Sequence, residues 1–224
     1  MNLLAIDTAT EACSVAVRTE QGDFHRFEIC PQQHSQRLLP MVDEVLKEAG
    51  LTLKEIDGLV YGRGPGSFTG VRIATGMIQG LALGSGLKVA GVSTLAAMAQ
   101  QVFESQGSAS LAVAIDARMS EVYFAQYQAE NGLVQLLDEE MVCPPEHAAS
   151  LLSDSASPAV TGWAAYPELT AKCDLEVAVL YPDARFMLSL GEQQFALGDV
   201  SEAEHIEPVY LRDKVTWKKL PGRE

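Results

Sequence analysis

Asp7 and the string Gly62-Arg63-Gly64-Pro65-Gly66-Ser67-Phe68-Thr69-Gly70 hold the residue types best suited to chemistry in this chain. Asp7 closes the apolar run Leu3-Leu4-Ala5-Ile6, at the C-terminal end of an expected strand, where a carboxylate can meet Mg²⁺ or bound phosphate. The string follows the apolar run Gly58-Leu59-Val60-Tyr61 and leads into a helix-like run from Val71, giving the order strand, glycine-rich turn, helix. Glycine lets backbone N–H groups approach a ligand or a neighbouring chain without a Cβ in the way. A helix N-terminus then offers unpaired donors and partial positive charge to an anion. Asp7, Gly64, Gly66 and Ser67 are therefore weak candidates for holding a nucleotide phosphate, while Ser67 and Thr69 are equally placed to cap the helix. A tight turn with a capped helix explains the same residues without a ligand. The string is neither a Walker A loop, lacking Gly-Lys-Ser/Thr, nor Gly-x-Gly-x-x-Gly in register.

Other chemistries find less support. The turns Thr8-Ala9-Thr10-Glu11 and Ala117-Arg118-Met119-Ser120, after Asp7 and Asp116, contain no glycine to let amides wrap a phosphate, which argues against hydrolysis by this chain alone. His25, His34, His147 and His205 include no pair at i+3 or i+4, so no helical two-histidine metal site is expected. Ser67 lacks the Gly-x-Ser-x-Gly register of a nucleophile elbow. Arg63 and Arg118 could meet phosphate or a partner's carboxylate, although surface ion pairs are the commoner fate of such residues. No catalytic residue and no metal ligand is assigned.

The elements that must position these residues are legible in outline. Asn2–Asp7, Cys13–Thr19 and Phe24–Ile29 read as three strands. An amphipathic helix follows, with Ser35 as expected N-cap, Leu38, Val42, Val45 and Ala49 on one face with Leu39 and Leu46 beside it, and Gly50 as its stop. Pro40 requires that helix either to start there or to lose one bond in its first turns. After the strand Leu59–Tyr61, a helix from Val71 to about Leu83 carries Gly76, Gly80 and Gly84 on one face, which costs about 1 kcal/mol per glycine and suggests that another backbone packs close there. A strand Lys88–Val92 and a helix Ser93–Phe103 complete the first half. Later come a short helix Glu146–Leu152, a strand and turn at Ala159–Trp163, and a helix around Leu188–Leu197.

The chain then restarts. Leu4-Ala5-Ile6-Asp7 is echoed by Val113-Ala114-Ile115-Asp116, Glu11 by Glu121, and Gly22 by Gly132. One inserted residue after Asp116 aligns the rest. This reads as a weak internal duplication, with an expected boundary near residues 105–110 dividing the chain into 1–107 and a degenerate 108–224. Two RNase H-like βββαβα halves facing each other describe an α/β, actin-like (sugar-kinase/chaperone ATPase-like) fold.

Composition sets the class. The 224 residues are 47% hydrophobic and 21% charged, ordinary for a soluble globular protein. Four scattered cysteines with no Cys-x-x-Cys pair fit reduced, cytoplasmic thiols. The N-terminus enters strand-like sequence at once, with no signal-peptide pattern, and Ile73–Val92 is too interrupted by glycine and polar residues to make a good membrane span. Net charge is −14, concentrated in residues 111–207, where 3 basic residues face 17 acidic ones. An acidic body repels a phosphate backbone, so the chain is a poor stand-alone nucleic-acid binder; its basic tail, Arg212 to Arg223, is the one local exception.

On these residues the chain resembles the bacterial TsaB (YeaZ) family. The matching pieces are Leu4-Ala5-Ile6-Asp7-Thr8, His34-Ser35-Gln36-Arg37-Leu38-Leu39-Pro40, Gly64-Pro65-Gly66-Ser67-Phe68-Thr69-Gly70-Val71-Arg72, Gly91-Val92-Ser93-Thr94-Leu95, Asp116-Ala117-Arg118 with Glu121-Val122-Tyr123, and Pro208-Val209-Tyr210-Leu211-Arg212. The resemblance implies a non-catalytic partner subunit in the synthesis of N6-threonylcarbamoyladenosine at position 37 of tRNA, supporting the metal-dependent paralogue TsaD together with the P-loop ATPase TsaE. The paralogue's His-x-x-x-His metal helix overlays Thr94 and Met98, neither a usable ligand. The resemblance further implies no stably bound cofactor, ATP or ADP only at the interface with the paralogue, tRNA contact only through the complex, no membrane contact, and a homodimer when alone. The homodimer would use the first two helices, with Leu38, Leu39, Val42, Val45, Leu46, Gly76, Gln79 and Gly80 at its interface. The rival reading is a stand-alone actin-fold enzyme, a small-molecule kinase or a peptidase-like hydrolase.

Overall fold

The computed structural model describes residues 1–152, 157–159, 166, 169 and 179–212. The first sheet has the order β3-β2-β1-β4-β5, built from β1 (Leu3–Asp7), β2 (Ala12–Thr19), β3 (Gly22–Ile29), β4 (Gly58–Gly62) and β5 (Val89–Val92). The β1–β2–β3 meander is antiparallel, and β4 and β5 run parallel to β1, which requires crossovers through α1 (His34–Glu48) and α2 (Phe68–Ser85). A strand covered on both faces reads as a continuous apolar run, and all five residues of β1 and of β4 are buried.

The two faces of that sheet belong to two cores. Leu4, Ile6, Val15 and Leu59 point toward α1 and α2, meeting Leu38, Met41, Val45 and Ile78. Leu3, Ala5, Ala16 and Val60 point the other way, into a cluster that also holds α3 (Thr94–Gln106), the second sheet, and α5 (Arg185–Leu197). The second sheet has the path β10-β6-β7-β8, from β10 (Ser157–Ala159), β6 (Ser110–Arg118), β7 (Glu121–Glu130) and β8 (Leu133–Leu136), with β9 (Met141–Cys143) also on β7 and α4 (Pro145–Leu151) after it. Its sequential strands β6-β7-β8 form an antiparallel meander and β10 lies parallel to β6, repeating the first sheet's β1-β2-β3 and β4 pairings. The register between β6 and β7 shifts between Asp116 and Arg118, where the sequence echo needs its inserted residue. Arg118, Met119 and Ser120 all have φ near +60° in that turn.

Several local expectations shift. Helix α1 begins at His34 with Gln33 as an N-cap that makes no side-chain hydrogen bond, so Ser35 lies inside the helix and Pro40 removes one bond from an early turn. Helix α2 begins at Phe68, three residues before Val71, because Ser67 caps it and accepts from Gly70 N at 3.4 Å. Ser93 caps α3, its hydroxyl accepting from Leu95 N at 3.1 Å. The expected strand and turn at Ala159–Trp163 lie mostly outside the described residues, as do Cys173 and the tail beyond Arg212. Helix α5 comes from the second half of the chain but lies on the first sheet: a Cβ on Gly191 would press on Val60 at 2.6 Å, and one on Gly58 would overlap the Phe195 ring. The expected boundary at 107/108 therefore separates strands and leaves one helix crossing back.

Candidate functional site

Asp7 sits where the sequence places it, at the end of β1 beside Gly62 of β4, and it is sealed. It is fully buried; Ala9 N donates to Oδ1 at 3.0 Å, and Oδ2 has no hydrogen-bond partner among the described residues. Gly62 is obligatory here, since a Cβ at that position would occupy the space of Oδ2. Burial pushes the Asp7 carboxyl up to about 7, the Ala9 amide opposes this, and the nearby charge of Asp183 adds to it. Asp183 is itself buried and bound by Arg185 at 2.6 Å, and Ser14 on β2, opposite Asp7, accepts from Ala184 N at 3.0 Å. Asp183 is far from Asp7 in sequence, and no local signal could have connected them.

The glycine string meets the chain's own first turn. Gly66 and Gly70 lie directly against the carbonyl oxygens of Ala9 and Thr8, with no room for a Cβ at either position. Ser67 N donates to Ala9 O at 2.7 Å, and the Thr8 hydroxyl donates to Gly70 O at 2.7 Å. Gly64 has φ of +98°, and a Cβ there would lie 2.9 Å from Val209 O. Of the two uses open to these glycines, close approach to a neighbouring segment is the one observed. Gly64, Gly66 and Ser67 form a packing joint between the aspartate turn and α2, beside the buried Asp7.

The second aspartate turn is open and tied by side chains. Asp116 accepts from Arg118 N at 2.9 Å, from Arg118 Nη1 at 2.9 Å and from the Tyr166 hydroxyl at 3.0 Å. Arg118 also reaches Glu11 of the first turn at 3.5 Å, and Arg212 binds Glu121 and the carbonyls of Ala117 and Arg118. The two turns are thus joined by Arg118, while Arg212 braces the second turn alone. Arg63 differs: no described residue accepts a hydrogen bond from its guanidinium, and it lines a cavity beside β4 and β5.

The expected interface residues divide. Leu38, Val42, Val45 and Leu46 are buried in the core between α1 and the first sheet, which corrects their assignment to an intermolecular surface; α1 lies over β2 and β3 and also meets α2. Leu39 is 47% exposed. Gln79 is half-buried, and its amide donates to Ile206 O at 3.0 Å. Beyond the backbone of α2 itself, no described residue lies within 4 Å of a Cβ placed on Gly76, Gly80 or Gly84, so none of the described segments is the backbone they were expected to meet. At the positions that overlay the paralogue's histidines, Thr94 and Met98 are fully buried at the start of α3. Among the described residues, no group of three or more His, Cys, Asp or Glu could hold a metal ion, and no helix is long and apolar enough to cross a membrane.

Comparison with known proteins places this geometry. Residues 27–216 match the family model of TsaD, tRNA N6-adenosine threonylcarbamoyltransferase. The chain is 49% identical to the tRNA threonylcarbamoyladenosine biosynthesis protein TsaB of Escherichia coli K12, over the full length of both. It is 45% identical to the protein of the same name from Haemophilus influenzae, covering 100% of this chain and 99% of that one. Two crystal structures from Pseudomonas aeruginosa, one described as YeaZ and the other as an uncharacterized protein with similarity to peptidase YeaZ, superpose with TM-scores of 0.84 and 0.85 at 44% identity, covering 94% of this chain and 99% of theirs. With full-length identity to two proteins of that name, the chain belongs to the TsaB family of tRNA threonylcarbamoyladenosine biosynthesis proteins.

Proposed function

We infer that this chain is a non-catalytic subunit of the machinery that makes N6-threonylcarbamoyladenosine in tRNA, binding and supporting a TsaD-type transferase, with a TsaE-type ATPase joining the pair. The carrying observation is the state of the two places where an active relative needs polar groups. The metal-helix positions hold buried Thr94 and Met98, and the aspartate turn is closed over Asp7 by the glycine string. A chain with the transferase architecture and neither site is suited to pairing with the copy that keeps them. In this reading the two sheets are the halves of an actin-like fold, the open glycine face of α2 with Leu39 belongs to the contact used by a homodimer or by the paralogue, any ATP or ADP lies at the heteromeric interface, tRNA is reached only through the complex, and the work is done in the cytoplasm.

The test is reconstitution. Purified TsaD-type and TsaE-type proteins are given threonylcarbamoyl-adenylate, Mg²⁺, ATP and an ANN-decoding tRNA, and the modified nucleoside is measured by mass spectrometry with and without this chain. Modification that depends on the chain, with none from the chain alone, is expected. Full activity without it, or phosphate release by the isolated chain at about 1 s⁻¹, would transfer the reading to a stand-alone enzyme.

A further inference from the structure

We propose that the cavity beside β4 and β5 is a binding site for a small zwitterion of the amino-acid type, with Arg63 holding its carboxylate and the rim acids Asp199 and Glu207 facing its ammonium group. The cavity encloses about 170 Å³. Its floor is Gly91, where a Cβ would lie 3.2 Å from the Tyr61 ring and 3.4 Å from Arg63 Cδ, so the bare backbone keeps the space open.

Arg63 is fixed at its backbone and free at its head. Its N–H donates to Val92 O at 2.9 Å and its carbonyl accepts from Val209 N at 2.8 Å. Its Nε is buried without an acceptor, and it forms no ion pair with a described residue. Glu140, whose charge acts with that of Arg63 on Tyr127, is engaged by the hydroxyls of Ser93 and Tyr127 instead. A buried guanidinium edge without acceptors is unfavourable unless a ligand supplies oxygens, and a carboxylate matches its planar fork with two parallel hydrogen bonds.

Charge then selects among anions. Asp199 and Glu207 line the mouth, and neither forms an ion pair with a described residue. The Tyr61 phenol, whose hydroxyl donates to Glu207 O at 2.9 Å, is pushed up to about 12 chiefly by burial, with Arg63 lowering it and Glu207 raising it, so the charges of both reach the same ring. A dianion such as phosphate would meet the rim carboxylates at close quarters, whereas a carboxylate carrying its own ammonium group satisfies both signs. Gln194, Ser201 and His205 complete the polar lining.

The experiment is titration of ¹⁵N-labelled full chain with L-alanine, acetate, methylamine and inorganic phosphate, followed by amide shifts. Saturable shifts at Gly91, Tyr61 and Val209 with L-alanine are expected, acetate, methylamine and phosphate binding at least tenfold more weakly. Arg63→Gln and Glu207→Gln should each weaken L-alanine at least tenfold, a loss of about 1.4 kcal/mol. No saturable shift at these amides overturns the proposal, and so does phosphate or acetate binding as tightly as L-alanine. Should Arg63→Gln fail to fold, Glu207→Gln decides alone: unchanged or tighter L-alanine binding overturns the proposal.

Discussion

The two aspartate turns begin from the same element, an apolar strand ending in Ile-Asp, and finish in opposite states. Around Asp7 the partners are backbone and void: one amide, one empty oxygen, and glycines pressed against the carbonyls that follow it. Around Asp116 they are side chains, with Arg118 and Tyr166 on the carboxylate and Arg212 on the turn's carbonyls. The first turn is closed by close packing, whose cost of change is steep. The second is open and tied by side chains, and the ion pairs of its exposed Arg118 are weak singly and soften with salt. One turn is a rigid joint, and the other an electrostatic clasp that reaches the first through Arg118 and Glu11.

That contrast can be broken from its first turn most easily. The Asp7 carboxyl titrates at about 7 in the folded chain, against 3.8 as its ordinary value. The folded state therefore holds this proton more tightly, and the associated stability is complete below about pH 4 and falls as pH rises through 7. Asp7→Asn removes the dependence: relative to the unmutated chain it should gain up to about 4 kcal/mol between pH 4 and pH 8. Urea midpoints at the two pH values read this directly, and a parallel pH dependence of both proteins would show that Asp7 ionises freely. Gly70→Ala forces a methyl group onto Thr8 O and should cost about 3 kcal/mol, detectable as a lower melting temperature with the joint unable to relax.

The clasp should yield less. Arg118→Ala removes the partners of Asp116 and Glu11 from a side chain that is 75% exposed, and a loss of about 1 kcal/mol or less is expected, shrinking further in 1 M salt. A salt-independent loss of 3 kcal/mol would make this turn as rigid as the first. Gly80→Leu tests the surface outside both turns. No described residue outside α2 lies within 4 Å of a Cβ at this site, so the monomer should hold or gain about 0.5 kcal/mol from helix propensity, while size-exclusion chromatography should show loss of self-association or of the transferase contact. Normal association by that variant would place the contact elsewhere.

Legibility in the sequence followed the range of the interactions. The strand meander, the capped helices at Ser67 and Ser93 and the bulge after Asp116 depend on neighbours a few residues apart, and each was visible as a pattern. The helix start at His34 was missed because Gln33 makes no side-chain cap, which leaves a plausible serine two positions too late. Leu38, Val42, Val45 and Leu46 were misassigned to a surface because an apolar stripe does not say which apolar partner it meets.

From sequence alone came the order of elements, the lack of a helical histidine pair and the family, since all of these are written in residue types and local spacing. Tertiary structure alone decided what the polar residues do. It set Asp183 near Asp7, returned α5 to the first sheet, turned the glycine string onto Thr8 and Ala9, and placed Arg63 in the lining of a cavity with no ion pair to a described residue. A carboxylate or guanidinium takes its properties from burial and from charges brought near by folding, and those distances have no counterpart in the linear order of the chain.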